Sequence, residues 1–173
     1  MLPRARTGLP RTRRCLLTEP TRQRRGRAIA MTDPDIDEFL TTERTCRVAT
    51  AGQDGRPHVA PLWFVWDGTS LWLNSVVRSQ RWTDLERDGR VAVLVDAGEE
   101  YFELRGAELR GTVEFVGAVP WTGAPDPELA EAERLMARKY HGGDAMKNPD
   151  GRHAWLRLVP DKITSWDFRK LPG

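Results

Sequence analysis

Cysteine is scarce in this chain: Cys15 and Cys46 are the only two among 173 residues, and their spacing matches no metal-ligand motif. A reducing cytoplasm is the compartment such thiol usage fits. His58, His141 and His153 are scattered without an HxxxH or CxxC companion, so no metal centre is expected. No GxGxxG turn and no P-loop occurs, which argues against a Rossmann or Walker nucleotide site. No Ser-His-Asp or paired-carboxylate arrangement can be read, which disfavours hydrolytic chemistry. No apolar run approaches the ~20 residues of a membrane span, and no internal repeat is present.

What is abundant is arginine, which supplies 23 of the 27 basic residues. Nine of them lie in residues 1–30 beside a single acid, Glu19, giving that stretch a charge of +8. The rest of the chain carries 18 basic against 24 acidic residues, a net −6, so the overall +2 describes neither part. Pro3, Pro10 and Pro20, with almost no large apolar residue, predict a disordered tail over 1–30 and one folded domain over 31–173. Three uses of the tail are open: a nucleic-acid or membrane arm, an Arg-rich transit peptide, or upstream sequence before a true start at Met31.

Within the domain, Ile36, Phe39 and Leu40 predict a short helix over Asp35–Glu43. Strands are expected at Thr45–Thr50 and Pro57–Trp66, the second apolar on both faces and therefore covered on both. Pro61 within it demands an edge, a bulge or a ligand at the backbone. Asp67-Gly68 signals a two-residue primed turn into a strand at Ser70–Asn74. A helix over Ser79–Arg87, an apolar strand at Val91–Val95 and one bent or two short strands over Tyr101–Val116 follow, with Gly106 and Gly111 as bulges. A helix over Pro127–Tyr140 and strands at His153–Val159 and Lys162–Phe168 complete a mainly β chain with short helices: a six- to seven-stranded antiparallel split barrel.

The chemistry-bearing stretch is Arg78-Ser79-Gln80-Arg81. Ser79 is a good N-cap, and a helix start offers free N–H groups and the positive end of the dipole. With two guanidiniums beside it, this is a seat for a phosphate.

Four patterns in order carry a family resemblance: Val48-Ala49-Thr50 with Asp54-Gly55-Arg56-Pro57; Val59-Ala60-Pro61-Leu62-Trp63-Phe64; Ser79-Gln80-Arg81 with Leu85 and Arg90-Val91-Ala92; and Lys162 to Phe168. Together they resemble the split-barrel flavin-binding superfamily of pyridoxamine-phosphate-oxidase-like proteins, from about Asp35 to Leu171. Within it the chain is most similar to the branch using the deazaflavin coenzyme F420.

The resemblance implies an oxidoreductase that moves a hydride between bound F420 and a small or conjugated organic substrate. It also implies a homodimer with the cofactor at the subunit interface. FMN is the alternative cofactor, for an oxidase or flavin reductase, and a non-catalytic flavin- or haem-binding module is the alternative of another class. Carried over by position, Arg81 stands where the family has a phosphate-binding Lys. Asn74, Arg78 and Ser79 would bond phosphate or ribityl oxygens. Val59, Ala60, Pro61, Leu62 and Trp63 would support the ring, and Trp166 would be a wall from the second subunit. Asp84, where Asn is common, sets a negative charge near the seat. Arg56, Arg78, Arg169 and Lys170 are candidates for the extra negative charges of the F420 tail. Cys46 reads as a small core residue, and His58 as a packing or surface histidine, with a proton donor near the ring as its alternative.

Overall fold

Thr32 begins the first helix, α1 (Asp33–Thr42), through a capping box: its hydroxyl accepts from the Asp35 N–H while the Asp35 carboxylate accepts from the Thr32 N–H. The computed structural model describes residues 26–146 and 149–172, so the expectations for 1–25 lie outside the described residues. Already at Ile29 the chain is docked, its carbonyl accepting from the Asp167 N–H.

Seven strands follow: β1 (Thr45–Ala51), β2 (Pro57–Trp66), β3 (Leu71–Val76), β4 (Arg90–Ala97), β5 (Arg105–Val116), β6 (His153–Leu158) and β7 (Lys162–Asp167). Their order is β4-β1-β2-β3-β6-β5, and β4 pairs with β5 to close a six-stranded antiparallel barrel, with β7 added along β5. Helices α2 (Gln80–Arg87) and α3 (Ala130–Met136) complete the fold. The expected mainly β split barrel is what forms.

Alternation along the strands divides the apolar residues into two cores. Inside the barrel, Cys46, Val48, Phe64, Leu73, Val93, Leu109 and Leu156 pack with Phe39 and Leu40 of α1 and Trp82 and Leu85 of α2. Outside it, Val65, Trp72, Val116 and Trp155 are covered by Leu129, Ala132 and Met136, the helical stripe of α3. Trp66, Trp72, Trp82, Trp121 and Trp155 are all buried, which leaves Trp63 and Trp166 as the tryptophans outside these cores.

Four local expectations are corrected. The β2–β3 turn has its two central residues at Gly68-Thr69, one position later than expected, and the Asp67 N–H donates to the Ser70 carbonyl at 3.2 Å across it. The Asp67 carboxylate organises it, accepting from the N–H groups of Thr69 and Ser70 and from the Trp72 indole. Gly106 and Gly111 are not bulges, since β5 stays in unbroken register with β4 across both. Gly106 is small because a Cβ there would stand 2.4 Å from the Trp166 ring. The long third helix is shorter in its α part and ends in a wider π-type turn over Ala137–His141. Finally, β2 is covered on both faces only from Phe64 onward, for Val59 is 63% exposed and Trp63 51%. The reason is reach: α3 covers Val65 but not the first half of the strand.

Candidate functional site

The strands β2 and β3 part company. Their ladder runs only from Phe64–Trp66 to Leu71–Leu73, whereas β1 follows β2 back to Pro57 and β6 follows β3 on to Val76. Between the first half of β2 and Asn74–Val76 the barrel wall is split.

Which backbone groups line that split follows from one anchor. Phe64 turns its N–H and C=O toward the Tyr140 hydroxyl, which also donates to the Arg44 carbonyl just ahead of β1. Phe64 therefore faces the β1 side. By twofold alternation Ala60 and Leu62 spend their backbone groups on β1, and Val59, Pro61 and Trp63 turn theirs to the split. Pro61 sits where its missing N–H costs no ladder bond, which resolves its presence in the strand. The five predicted ring-supporting residues are thus divided: Val59, Pro61 and Trp63 offer backbone, Ala60 and Leu62 only side chains.

At the far end of the split stands α2. Ser79 caps it, accepting from the Trp82 N–H at 3.2 Å, and the preceding Arg78 holds φ +69 in the left-handed region. A non-glycine residue in that region is strained and marks a position fixed by its surroundings. The two guanidiniums of the predicted seat part here, Arg78 lying exposed while Arg81 turns inward and is buried.

Arg81 is the unusual group. Only 6% exposed, it donates from Nη2 to the Ser75 hydroxyl at 3.0 Å, and its Nε has no partner. Among the described residues no carboxylate pairs with it, and burial pushes its pKa down. A buried guanidinium without an anion is costly, and the position calls for one.

Asp84 does not fill that place. Buried on the same helix, it accepts from the Thr50 hydroxyl and the Gln80 amide, both at 2.8 Å, and these bonds hold its carboxyl below the usual range. Those bonds hold it ionised, so the negative charge on the helix that carries the seat is retained. Asn74, on the outer face of β3, keeps a buried Nδ2 with no acceptor, a second donor without a partner beside the split.

Other predicted residues lie elsewhere. Trp166 packs over Gly106 on β7, with β1, β4 and β5 between it and β2, so within one chain it is not brought to the split. Arg56 is paired with Asp54, Arg169 with Asp167 and Lys170 with Asp35. Of the proposed tail-binding cations only Arg78 adjoins the split without an ion pair among the described residues.

Sequence reasoning missed Ser75, Tyr140 and Arg152. The last is exposed and unpaired among the described residues, and it is brought beside Arg78 where its carbonyl accepts from the Val77 N–H. No local signal could have joined residues so far apart in the chain.

Cys46 faces the same interior, and burial pushes its thiol from 9.0 to about 12 even with Arg81 nearby. The thiolate is thus suppressed at neutral pH. In a Cys15→Ser variant, Cys46 should not react with a disulfide reagent at pH 8 until denaturant is added. Rapid colour release from the native protein would contradict this burial. Among the described residues no group of His, Cys, Asp or Glu could hold a metal ion. No helix among them is long and apolar enough to cross a membrane.

Residues 32–167 match the model of the pyridoxamine 5'-phosphate oxidase family, and the chain belongs to that family, which includes oxidoreductases. Among solved structures it is similar to a conserved hypothetical protein, Rv2991, from Mycobacterium tuberculosis. The two are 32% identical over 88% of this chain and 95% of that one, with a TM-score of 0.70. It is also similar to an F420 reductase, at 25% identity over 74% of this chain and 94% of that one, with a TM-score of 0.55. A FAD-binding protein from Mesorhizobium loti, 18% identical over 79% of this chain and 93% of that one, shares the fold at a TM-score of 0.60. No curated protein matches the chain.

Proposed function

We propose that the protein is an oxidoreductase that transfers a hydride between bound coenzyme F420 and a small or conjugated organic substrate. The observation that carries this reading is Arg81, a buried cation lacking an anion at the end of a cleft edged with free backbone groups. The residues fit such a group. Arg81 and the start of α2 would take its phosphate, and Asn74 Nδ2 with the Ser79 hydroxyl would take phosphate or ribityl oxygens. The backbone of Val59, Pro61 and Trp63, with the side chains of Ala60 and Leu62, would position the ring. Arg78 and Arg152 stand exposed at the cleft mouth for the anionic tail that F420 has and FMN lacks.

When bound, the coenzyme supplies the two-electron chemistry. The chain binds, orients and excludes water, which agrees with the lack of an evident catalytic acid or base. A site bounded by one strand edge is open on its outer side. The reading is of a homodimer in which Trp166 of the second subunit closes it.

Titration with F420 and, separately, with FMN tests the assignment. Tight F420 binding with quenched coenzyme fluorescence, and hydride transfer to an added acceptor, are expected. A yellow preparation that retains FMN and ignores F420 would instead identify the flavin oxidase or reductase, and binding of either without turnover would leave a carrier module.

A further inference from the structure

Asp150 and His153 form a fixed pair where β6 begins. One carboxylate oxygen of Asp150 accepts from the N–H groups of Arg152 at 2.9 Å and His153 at 3.2 Å. The other oxygen lies 2.7 Å from Nδ1 of the His153 ring. The Arg152 N–H above all, and the ring beside it, hold the Asp150 carboxyl below the usual range. An ionised carboxylate only accepts, so Nδ1 is the donor. In the neutral ring the proton is thereby placed on Nδ1 and the lone pair on Nε2, which has no partner among the described residues. The side chain is 32% exposed, so a ligand can reach that nitrogen.

The backbone beneath the pair is held on both sides. The His153 carbonyl accepts from the Trp121 N–H at 2.7 Å, and the Arg152 carbonyl accepts from the Val77 N–H at 2.8 Å. In the β3–β6 ladder His153 stands opposite Val76, and Trp155 stands opposite Asn74. Trp155 and Asn74 share the outer face, and alternation puts His153 on that face as well. His153 is therefore the diagonal neighbour of Asn74, and such neighbours stand roughly 7–8 Å apart, within reach of long side chains.

The two side chains are opposite in kind. Asn74 Nδ2 is a buried donor without an acceptor, and His153 Nε2 is an acceptor without a donor. They do not satisfy each other. A phosphate or carbonyl oxygen would serve only the amide, and an ammonium would serve only the imidazole. A hydroxyl serves both, accepting from one and donating to the other.

We propose that His153 Nε2 and Asn74 Nδ2 clamp one hydroxyl of the coenzyme's ribityl chain, with Asp150 as the positioning residue that keeps the imidazole in its accepting tautomer. This rests on the proposed F420-dependent reading, and it narrows the oxygen that Asn74 binds to a hydroxyl.

Asp150→Asn is the discriminating variant. Its amide oxygen must still accept from the two backbone N–H groups, which turns its NH2 toward Nδ1. The ring proton then moves to Nε2, and the acceptor becomes a donor. In the full-length protein, Asp150→Asn and His153→Leu should each weaken F420 binding about tenfold in calorimetric titration. His153→Gln, which keeps an acceptor at the same reach, should restore most of the loss. Nitrogen NMR of the cofactor-free protein should show His153 protonated on Nδ1 in wild type and on Nε2 in Asp150→Asn. Among F420 analogues with one ribityl hydroxyl at a time replaced by hydrogen, one should bind wild type about tenfold more weakly and His153→Leu no more weakly than F420 does. If F420 and every analogue bind wild type and variants alike, the clamp is overturned and the coenzyme reading stands. If FMN alone binds, the F420 reading fails, and the same losses measured on FMN sustain the clamp. Wild type that binds neither coenzyme would sink both. A wild-type ring protonated on Nε2 would overturn the clamp whichever coenzyme binds.

Discussion

Replacing Arg81 with methionine should weaken coenzyme binding on the order of 100-fold or more while raising the melting temperature of the cofactor-free protein. The two signs come from one fact. In the free protein the guanidinium is buried with a single neutral partner, Ser75, and an unpartnered Nε. A buried ion costs several kcal/mol unless it is compensated, so an unbranched apolar side chain of similar length should recover about 1 kcal/mol. For a chain of this size that corresponds to about 2–4 °C. In the proposed complex the same group would meet a phosphate, and losing one partner of a buried charge-assisted pair costs about 2–5 kcal/mol, or roughly 30- to 4,000-fold in affinity. Arg81→Lys keeps the charge but not the fork and should lie between the two, about tenfold weaker than wild type. Calorimetric titration and thermal melts of the three proteins measure both quantities. A methionine variant that binds coenzyme normally, or that melts lower when cofactor-free, would show that the guanidinium serves the core rather than a ligand.

Tyr140→Phe should lower stability by about 2–3 kcal/mol, although it removes one oxygen from a residue outside the barrel core. That oxygen sits where β1 would have continued beside β2. It accepts from the Phe64 N–H at 3.1 Å, with the Arg44 and Phe64 carbonyls each 2.7 Å away. Phenylalanine keeps the ring stacked on Trp63 but leaves an N–H and the hydroxyl's acceptor without a partner, and each buried orphan costs about 1–3 kcal/mol. The expected fall in melting temperature is about 4–10 °C. Burial pushes the Tyr140 phenol up to about 12, so the hydroxyl stays neutral and the difference between variant and wild type should be flat from pH 6 to 9. A shift below about 1 °C would mean that water replaces the hydroxyl without loss. The cleft's backbone assignment would then lose its anchor.

Both results concern groups that the linear chain exposes to very different degrees. Arg81 is legible because a capping serine, a helix start and a neighbouring arginine fall within four consecutive positions, and such short-range patterns survive without tertiary information. That it is buried and Arg78 exposed is not legible, since both flank Ser79 alike and only the packing of α2 against the barrel separates them. Tyr140 is legible only as a helical core residue. Its hydroxyl acts across 76 positions on Phe64 and 96 on Arg44, a pairing that no periodicity encodes. The same limit explains Gly106, taken for a bulge because a glycine in a strand usually marks one. In the structure it is small so that Trp166, from a strand nearly sixty residues later, can lie across it.

The linear sequence by itself determined the strand and helix sequence, the apolar run of β2, the capping serine between two arginines at the start of α2 and the kinship that follows from their order. Each is set by residue types within a few positions of one another. Only the tertiary structure decided that β2 is parted from β3 over the residues before Phe64, that Pro61 faces the gap and that Arg81 is left there without an anion. Those depend on which strand captures each edge of β2, a competition among hydrogen-bond ladders between distant segments that is resolved only when the barrel closes.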